Sequence, residues 1–346
     1  MQPGSHTYRE IIGQSDAWSA SLAAAEVQAD GLRSWLDQPW AEVLFVGCGS
    51  THYLSHSGAA IWQALTGTAA RAVPASELWL FPDSSLPRPP SLLVAVSRSA
   101  ETTETLRAVD VYRRLAGDDV LAVTCYPDRP LVAEATRVLV ARHAEEESVA
   151  QTRSFTSMLL LIQFAAALAS GQDDYLDQLR ALPSLGRRIV GTFEELAQRL
   201  GRDPDIERFV FLGSGANYGL ACEAMLKMKE MSLSPSEAFH FLEFRHGPKS
   251  VVGPDMLIVG LVSETARKYE AAVLAEMRDL GARILALAES PDGLPADDVV
   301  VLDSNLGDPV RGPLMLPILQ LMAYYRAMNK GLDPDRPSNL EAVVRL

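Results

Sequence analysis

The sequence predicts an α/β protein made of two tandem copies of one unit, each a parallel sheet flanked by helices. Two observations carry this. Short apolar runs, "EVLFVGCGS", "RAVPAS", "SLLVAVSRS", "VLAVTCYP" and "RVLVARH", alternate with helix-length amphipathic stretches, which is the pattern of a parallel sheet covered on both faces. In addition, "EVLFVGCGSTHYLSHSGAAIW" at 42–62 aligns without gaps on "RFVFLGSGANYGLACEAMLKM" at 208–228. The register continues approximately with "LLVAVSRSAETTET" against "MLIVGLVSETARKY". A repeat of this length marks two copies of one supersecondary arrangement.

In chain order, residues 1–40 are expected to be a helical segment ahead of the first strand. The first unit is expected at 41–185, the second at 205–330, and a Pro-rich tail at 331–346. The start, "MQPGSHTYREIIGQSDAW", lacks the basic opening and apolar run of a signal peptide. The run "SMLLLIQFAAALAS" is too short to span a bilayer and reads as a buried helix. The polar stretch "GQDDYLDQLRALPSLGRRIVGTFEELAQRLGRDPD" reads as connecting helices, and "MLPILQLMAYYRAMNKGLDPDRPSNLEAVVRL" as a helix followed by the tail.

With 48% hydrophobic and 22% charged residues, the 346-residue chain has the balance of a soluble globular protein. Its net charge of −13 opposes a general affinity for nucleic acid or anionic membranes. An anionic ligand must therefore be held by a local site. Cys48, Cys125 and Cys222 are scattered and odd in number, without CxxC spacing. Neither a disulfide framework nor a metal cluster is expected, and a cytoplasmic location fits.

The residues after the third apolar run are the most informative. Ser97, Ser99, Thr102, Thr103 and Thr105 crowd around Arg98 where a strand should end and a helix begin. Backbone N–H groups and hydroxyls at the positive end of a helix form an anion site, and a phosphate can use several of them at once. The alternative is a merely capped helix. The second copy has "VSETARKY" in this place and lacks most of the hydroxyls, so the first copy carries something beyond architecture. "GCGSTH" and "GSGANYG" look like dinucleotide fingerprints, but the first lacks the third glycine and a following acidic residue. A tight strand-to-helix turn explains the glycines, and Gly49, Ser50 and Thr51 become candidate ligand contacts. In "ACEAMLKMKEMSLSPSEAFHFLEFRHGP", Leu220, Ala224, Met228 and Met231 form one helical stripe that reads as core. Glu223, Lys227 and Glu230 form a second stripe, which spacing alone reads as a solvated ladder of charges. A Glu beside a cation in a cleft also suits proton abstraction next to a carbonyl.

With these motifs in hand, the chain resembles the sugar isomerase (SIS) family. It is similar to the tandem isomerase half of glutamine:fructose-6-phosphate amidotransferase and to the free-standing deaminases and deglycases of amino-sugar phosphates. The likeness runs from "CGST" through "ASE", "SRSAET", "VAQTRSFT", "LKMKEMSLSPSEAF" and "HGP" to "DPDRPSNL". It implies two tandem SIS domains, each a flavodoxin-like or Rossmann-like sandwich, with the tail over the active site. Ser97, Arg98, Ser99 and Thr102 match the family's phosphate loop, Arg98 and Ala100 standing where Gln and Gly are usual. Ser50 and Thr51 match residues near the phosphate and sugar, and Val149 and Gln151 a segment lining the pocket. Glu230 matches the glutamate that moves a proton between the first two sugar carbons, with Lys227 beside it. His246 matches a histidine associated with ring opening and supplied by a neighbouring subunit, which implies a homodimer with a shared site. No metal or organic cofactor is implied. Two departures matter: the sequence holds no glutamine-hydrolysing domain, and Ala342 stands at the tail position where the synthases carry a Schiff-base lysine. Together they favour an amino-sugar-phosphate deaminase or phosphosugar isomerase over a synthase. A non-catalytic sugar-phosphate sensor is the alternative.

Overall fold

The computed structural model describes residues 3–344 and contains two five-stranded sheets, parallel throughout. The first is built from β1 (Glu42–Gly47), β2 (Ala70–Pro74), β3 (Ser91–Val96), β4 (Val120–Thr124) and β5 (Arg137–Val140), in the order β2-β1-β3-β4-β5. The second is built from β6 (Arg208–Gly213), β7 (Ser236–Phe239), β8 (Met256–Leu261), β9 (Arg283–Ala288) and β10 (Asp298–Val301), in the order β10-β9-β8-β6-β7. Counted from its own first strand, each sheet runs 2-1-3-4-5, the flavodoxin-like order. The register repeats as well: Phe45 pairs with Ala72 and Val94, and Phe211 with Ala238 and Val259. Two tandem copies of one α/β sandwich are thus present. Strands β3, β4 and β8 are buried along their whole length, as their predominantly apolar, non-alternating content requires of strands covered on both faces.

The chain divides into two compact units. One comprises residues 13–147, 151–183 and 341–344, and the other residues 3–12, 148–150 and 184–340. The N-terminal helical segment is split between them. Helix α1 (Ser5–Ile12) belongs with the second sheet, whereas α2 (Gln14–Glu26) and α3 (Ala29–Leu36) belong with the first. In the unit of the second sheet the N-terminus is pinned by the far end of the chain. Thr7 donates through N and Oγ1 to Asp335 Oδ1 at 2.7 and 2.8 Å, and Gly4 N donates to Asp333 Oδ1 at 3.0 Å.

Within the first unit, α4 (Ser50–Thr66) follows β1, α5 (Thr103–Leu115) follows β3, and α6 (Arg153–Ser170) packs against α2, α3 and α4. The apolar run expected to be too short for a bilayer extends to 18 residues in α6, long enough to cross one; 83% of it is buried inside the protein, so burial and not length identifies it as a core helix. The polar connection is one helix, α7 (Asp173–Arg202), with Pro183 inside it, where several helices were expected. In the second unit, α8 (Asn217–Ser232) follows β6, α9 (Arg267–Asp279) follows β8, and α10 (Asp308–Asn329) packs along α8.

Candidate active site

In an open parallel sheet of this order, ligands bind beyond the carboxyl ends of the strands where the strand order reverses. In the first unit that point lies between β1 and β3, flanked by the turn at residues 48–51 and the hydroxyl loop at 97–102. The turn accounts for its glycines. A Cβ on Gly47 would come within 2.6 Å of the Thr51 backbone, and Gly49 has φ +57°, a conformation that favours glycine. The second copy repeats both features, with Gly213 against Asn217 and Gly215 at φ +55°. The Thr51 hydroxyl is engaged in the turn: it donates to Cys48 O and accepts from Cys48 N, both at 2.9 Å. Ser50, also buried, starts α4. Burial first, then the neighbouring Glu104 charge, push the Cys48 thiol up to about 11 against its bond to Thr105, so this thiol stays protonated at neutral pH.

The hydroxyl loop brings three side chains together. Thr102 Oγ1 lies 3.5 Å from Ser97 Oγ and 3.4 Å from Ser99 Oγ. Thr102 is the N-cap of α5, yet its side chain makes no capping bond. The capped-helix explanation therefore fails for the residue best placed to satisfy it. Ser97 Oγ accepts from Ala100 N at 3.1 Å, and Ser99 Oγ from Glu101 N at 3.2 Å, which fixes the loop's shape. Ala100, where the family resemblance puts glycine, is buried and left-handed at φ +55°. A non-glycine residue there costs about 1 to 3 kcal/mol, offset in part by the bond from Leu131 N to Ala100 O at 3.0 Å.

Arg98 does not stand free in the loop. Its side chain is 7% exposed and pairs with Glu146, whose side chain is 0% exposed, at 3.3 Å. Nη2 donates to Ala342 O at 3.2 Å. Glu146 in turn accepts from Thr152 N and Oγ1 at 2.6 and 2.8 Å and from Ser154 N and Oγ at 3.2 and 2.5 Å, all at the start of α6. Sequence reasoning missed Glu146, which reads as one member of the run "EEE". Gln151, in the same unit, is half-buried, and its Oε1 is buried without a hydrogen-bond partner among the described residues.

The second unit holds the remaining candidates. On α8, Lys227 is fully buried between Glu223, at 3.3 Å and itself fully buried, and Glu230, whose side chain is 18% exposed. The solvated ladder suggested by spacing is instead a buried triad with one carboxylate at its accessible end. Burial alone would lower the Lys227 pKa, but the charges of Glu223 and Glu230 and their hydrogen bonds outweigh it and raise it, so Lys227 is a cation at neutral pH. His246 is exposed, in a turn where its N donates to Glu243 O at 2.9 Å and Gly247 follows with φ +119°. Val149 belongs to this unit, its N donating to Asp335 O at 3.0 Å.

The corresponding crevice of the second sheet, between β6 and β8, is filled by the protein's own carboxylates. Asp308, the first residue of α10, accepts from Glu264 N and Thr265 N at 2.9 Å, from Thr265 Oγ1 at 2.8 Å, and from Arg311. Glu270 accepts from Ser263 N at 2.7 Å and Oγ at 3.1 Å. No group of three or more metal-ligating side chains occurs among the described residues.

Comparison with known proteins places these features in a wider set. A family model described as "SIS domain" matches residues 38–168 and 205–328. A glutamine–fructose-6-phosphate aminotransferase (isomerizing) from Pyrobaculum aerophilum is 32% identical over 353 residues, covering 97% of this chain and 56% of its own. The chain spans about half the length of the curated relatives it matches. Among solved structures, a tagatose-6-phosphate ketose/aldose isomerase from Escherichia coli superposes with TM-score 0.88 at 26% identity, over 97% of this chain and 96% of that one. A glucosamine-6-phosphate deaminase from Thermotoga maritima superposes with TM-score 0.81 at 26% identity, over 99% and 100%.

Proposed function

This chain belongs to the SIS domain family, and from that premise we propose that it is a cytoplasmic phosphosugar isomerase or amino-sugar-phosphate deaminase. The reaction takes an aldosamine 6-phosphate to the ketose 6-phosphate and ammonia. Ser97, Ser99 and Thr102 hold the phosphate, with Gly49 and Ser50 beside it and Thr51 keeping the turn in shape. Gln151 Oε1, buried without a partner among the described residues, accepts from a sugar hydroxyl. His246, supplied by a second copy of the chain, assists ring opening. Glu230 takes the proton from the second sugar carbon and returns it to the first. The substrate's own nitrogen becomes an imine at the second carbon, and water hydrolyses it to ketone and ammonia. That sequence is redox-neutral and draws on no lysine in the tail, which accords with Ala342.

The observation that carries this reading is Glu230, an accessible carboxylate held at the end of a buried triad beside the Lys227 cation. A positioned base contributes about 10² to 10⁴ in rate. Glu230→Gln is therefore expected to lower turnover by that order while sugar-phosphate affinity survives. The test is ammonia release from a panel of amino-sugar 6-phosphates, together with deuterium incorporation at the second carbon followed by NMR. A wild-type chain that binds these sugars but exchanges no proton is a sensor and not an enzyme.

A further inference from the structure

We propose that Arg98 is a positioning residue that fastens the C-terminal tail to the hydroxyl loop by gripping the main-chain carbonyl of Ala342. Its effect on turnover rests on the phosphosugar reading above, but the fastening itself does not.

The argument begins with burial. A guanidinium that is 7% exposed needs an anionic partner, because an unpaired buried charge is heavily penalised. Glu146 is that partner, and the four donors from Thr152 and Ser154 leave its carboxylate little freedom to move. One arm of Arg98 is thereby fixed. Because the guanidinium is a planar fork with several donors in set directions, fixing Nη1 on Glu146 also aims Nη2, and Nη2 meets Ala342 O at 3.2 Å. The acceptor is backbone, so the contact is indifferent to the side chain at 342. Ala342 is where the resembling synthases carry their tail lysine. This chain accordingly keeps the place of the tail without keeping the amine, and Arg98, standing where the family usually has Gln, supplies the hold.

The test needs no substrate. Full-length protein is digested with a carboxypeptidase and followed by intact mass. Trimming of the wild type is expected to stall before Ala342. A hydrogen bond to a charged group carries roughly tenfold or more in an equilibrium, so Arg98→Gln should be trimmed past Ala342 about tenfold faster. Ala342→Gly should behave as wild type, since the acceptor is untouched. Arg98→Lys keeps a cation for Glu146 but cannot serve both acceptors as a fork; it should be trimmed severalfold faster, and it carries the test if Arg98→Gln does not fold. Folded Arg98→Gln or Arg98→Lys trimmed at the wild-type rate would overturn the proposal. With a turned-over sugar phosphate, truncation after Leu340 and Arg98→Gln should raise KM alike, and the double variant no further. Additive effects would show instead that Arg98 acts on the phosphate directly. Failure of the phosphosugar reading would leave the trimming result to decide the fastening.

Discussion

A threonine at a helix N-cap ordinarily spends its hydroxyl on the helix's own N–H groups, and Thr102 turns its hydroxyl toward Ser97 and Ser99 instead. Donated instead to a phosphate, hydroxyls make charge-assisted hydrogen bonds worth roughly 1.5 to 3 kcal/mol each. Ser97→Ala with Ser99→Ala should raise KM strongly and abolish calorimetric binding of a phosphate analogue; unchanged heats in the double variant would defeat the phosphate assignment. The hydroxyl cluster was legible in the sequence because its members are neighbours along the chain. The pairing of Arg98 with Glu146 was not, since they lie 48 residues apart and a buried contact between distant polar residues leaves no periodic trace. His52 is a second residue whose behaviour only the fold reveals. Burial first, and then the facing His56 ring with Nε2 atoms 3.2 Å apart, lower its pKa to about 4, against a bond to Val73. Its unfolded counterpart takes a proton near the ordinary histidine value of about 6.5. The native state therefore binds fewer protons in the interval between, and stability that is full above that interval falls as the pH drops toward about 4. Thermal midpoints measured across it should decline less steeply in His52→Gln than in wild type. Identical slopes would contradict the assignment.

At the scale of elements, the loops after β3 and β8 occupy the same place in the same topology, yet the second has its donors spent on Asp308 and Glu270. Burial would raise the Asp308 pKa, but the N–H groups of Glu264 and Thr265 and the Arg311 charge more than offset this and lower it. Its contribution to stability is thus present above the ordinary aspartate value and is lost as the pH falls through the lowered one. Asp308→Ala should cost roughly 1 to 3 kcal/mol. In the background of Ser97→Ala with Ser99→Ala, where the first loop no longer binds, it should also create a stabilisation by inorganic phosphate that chloride at equal ionic strength does not give. Denaturation curves in the two salts decide the matter, and equal curves would show that the second loop is not an anion cradle. The repeat itself was plain in the sequence because its glycines answer to backbone geometry, which both copies share. The setting of Lys227 was not. Spacing places Glu223, Lys227 and Glu230 on one face of α8 but does not say whether that face is wet, and here the helix is buried on the charged stripe as well as on the apolar one.

At the scale of the whole molecule, His246 is exposed on the single chain, and the proposed chemistry has it reach a site on a second copy. Mixing an inactive His246→Ala chain with an inactive Glu230→Gln chain should then restore part of the activity, because one of the two sites in each mixed dimer combines both intact residues. No recovery after verified subunit exchange would argue for a site complete within one chain. The assignment of residues 3–12 to the unit of the second sheet, and of 341–344 to that of the first, also bears on how the protein is made. A ribosome delivers the chain from its N-terminus, and units ordinarily fold in that order as they emerge. Here α1 precedes Asp335 in the chain and has to wait for it to be translated before Thr7 can be tied down, and the loop at 97–102 waits for Ala342. Neither unit of the nascent polypeptide can be finished until residues 335 to 342 have been made, so both close late and together.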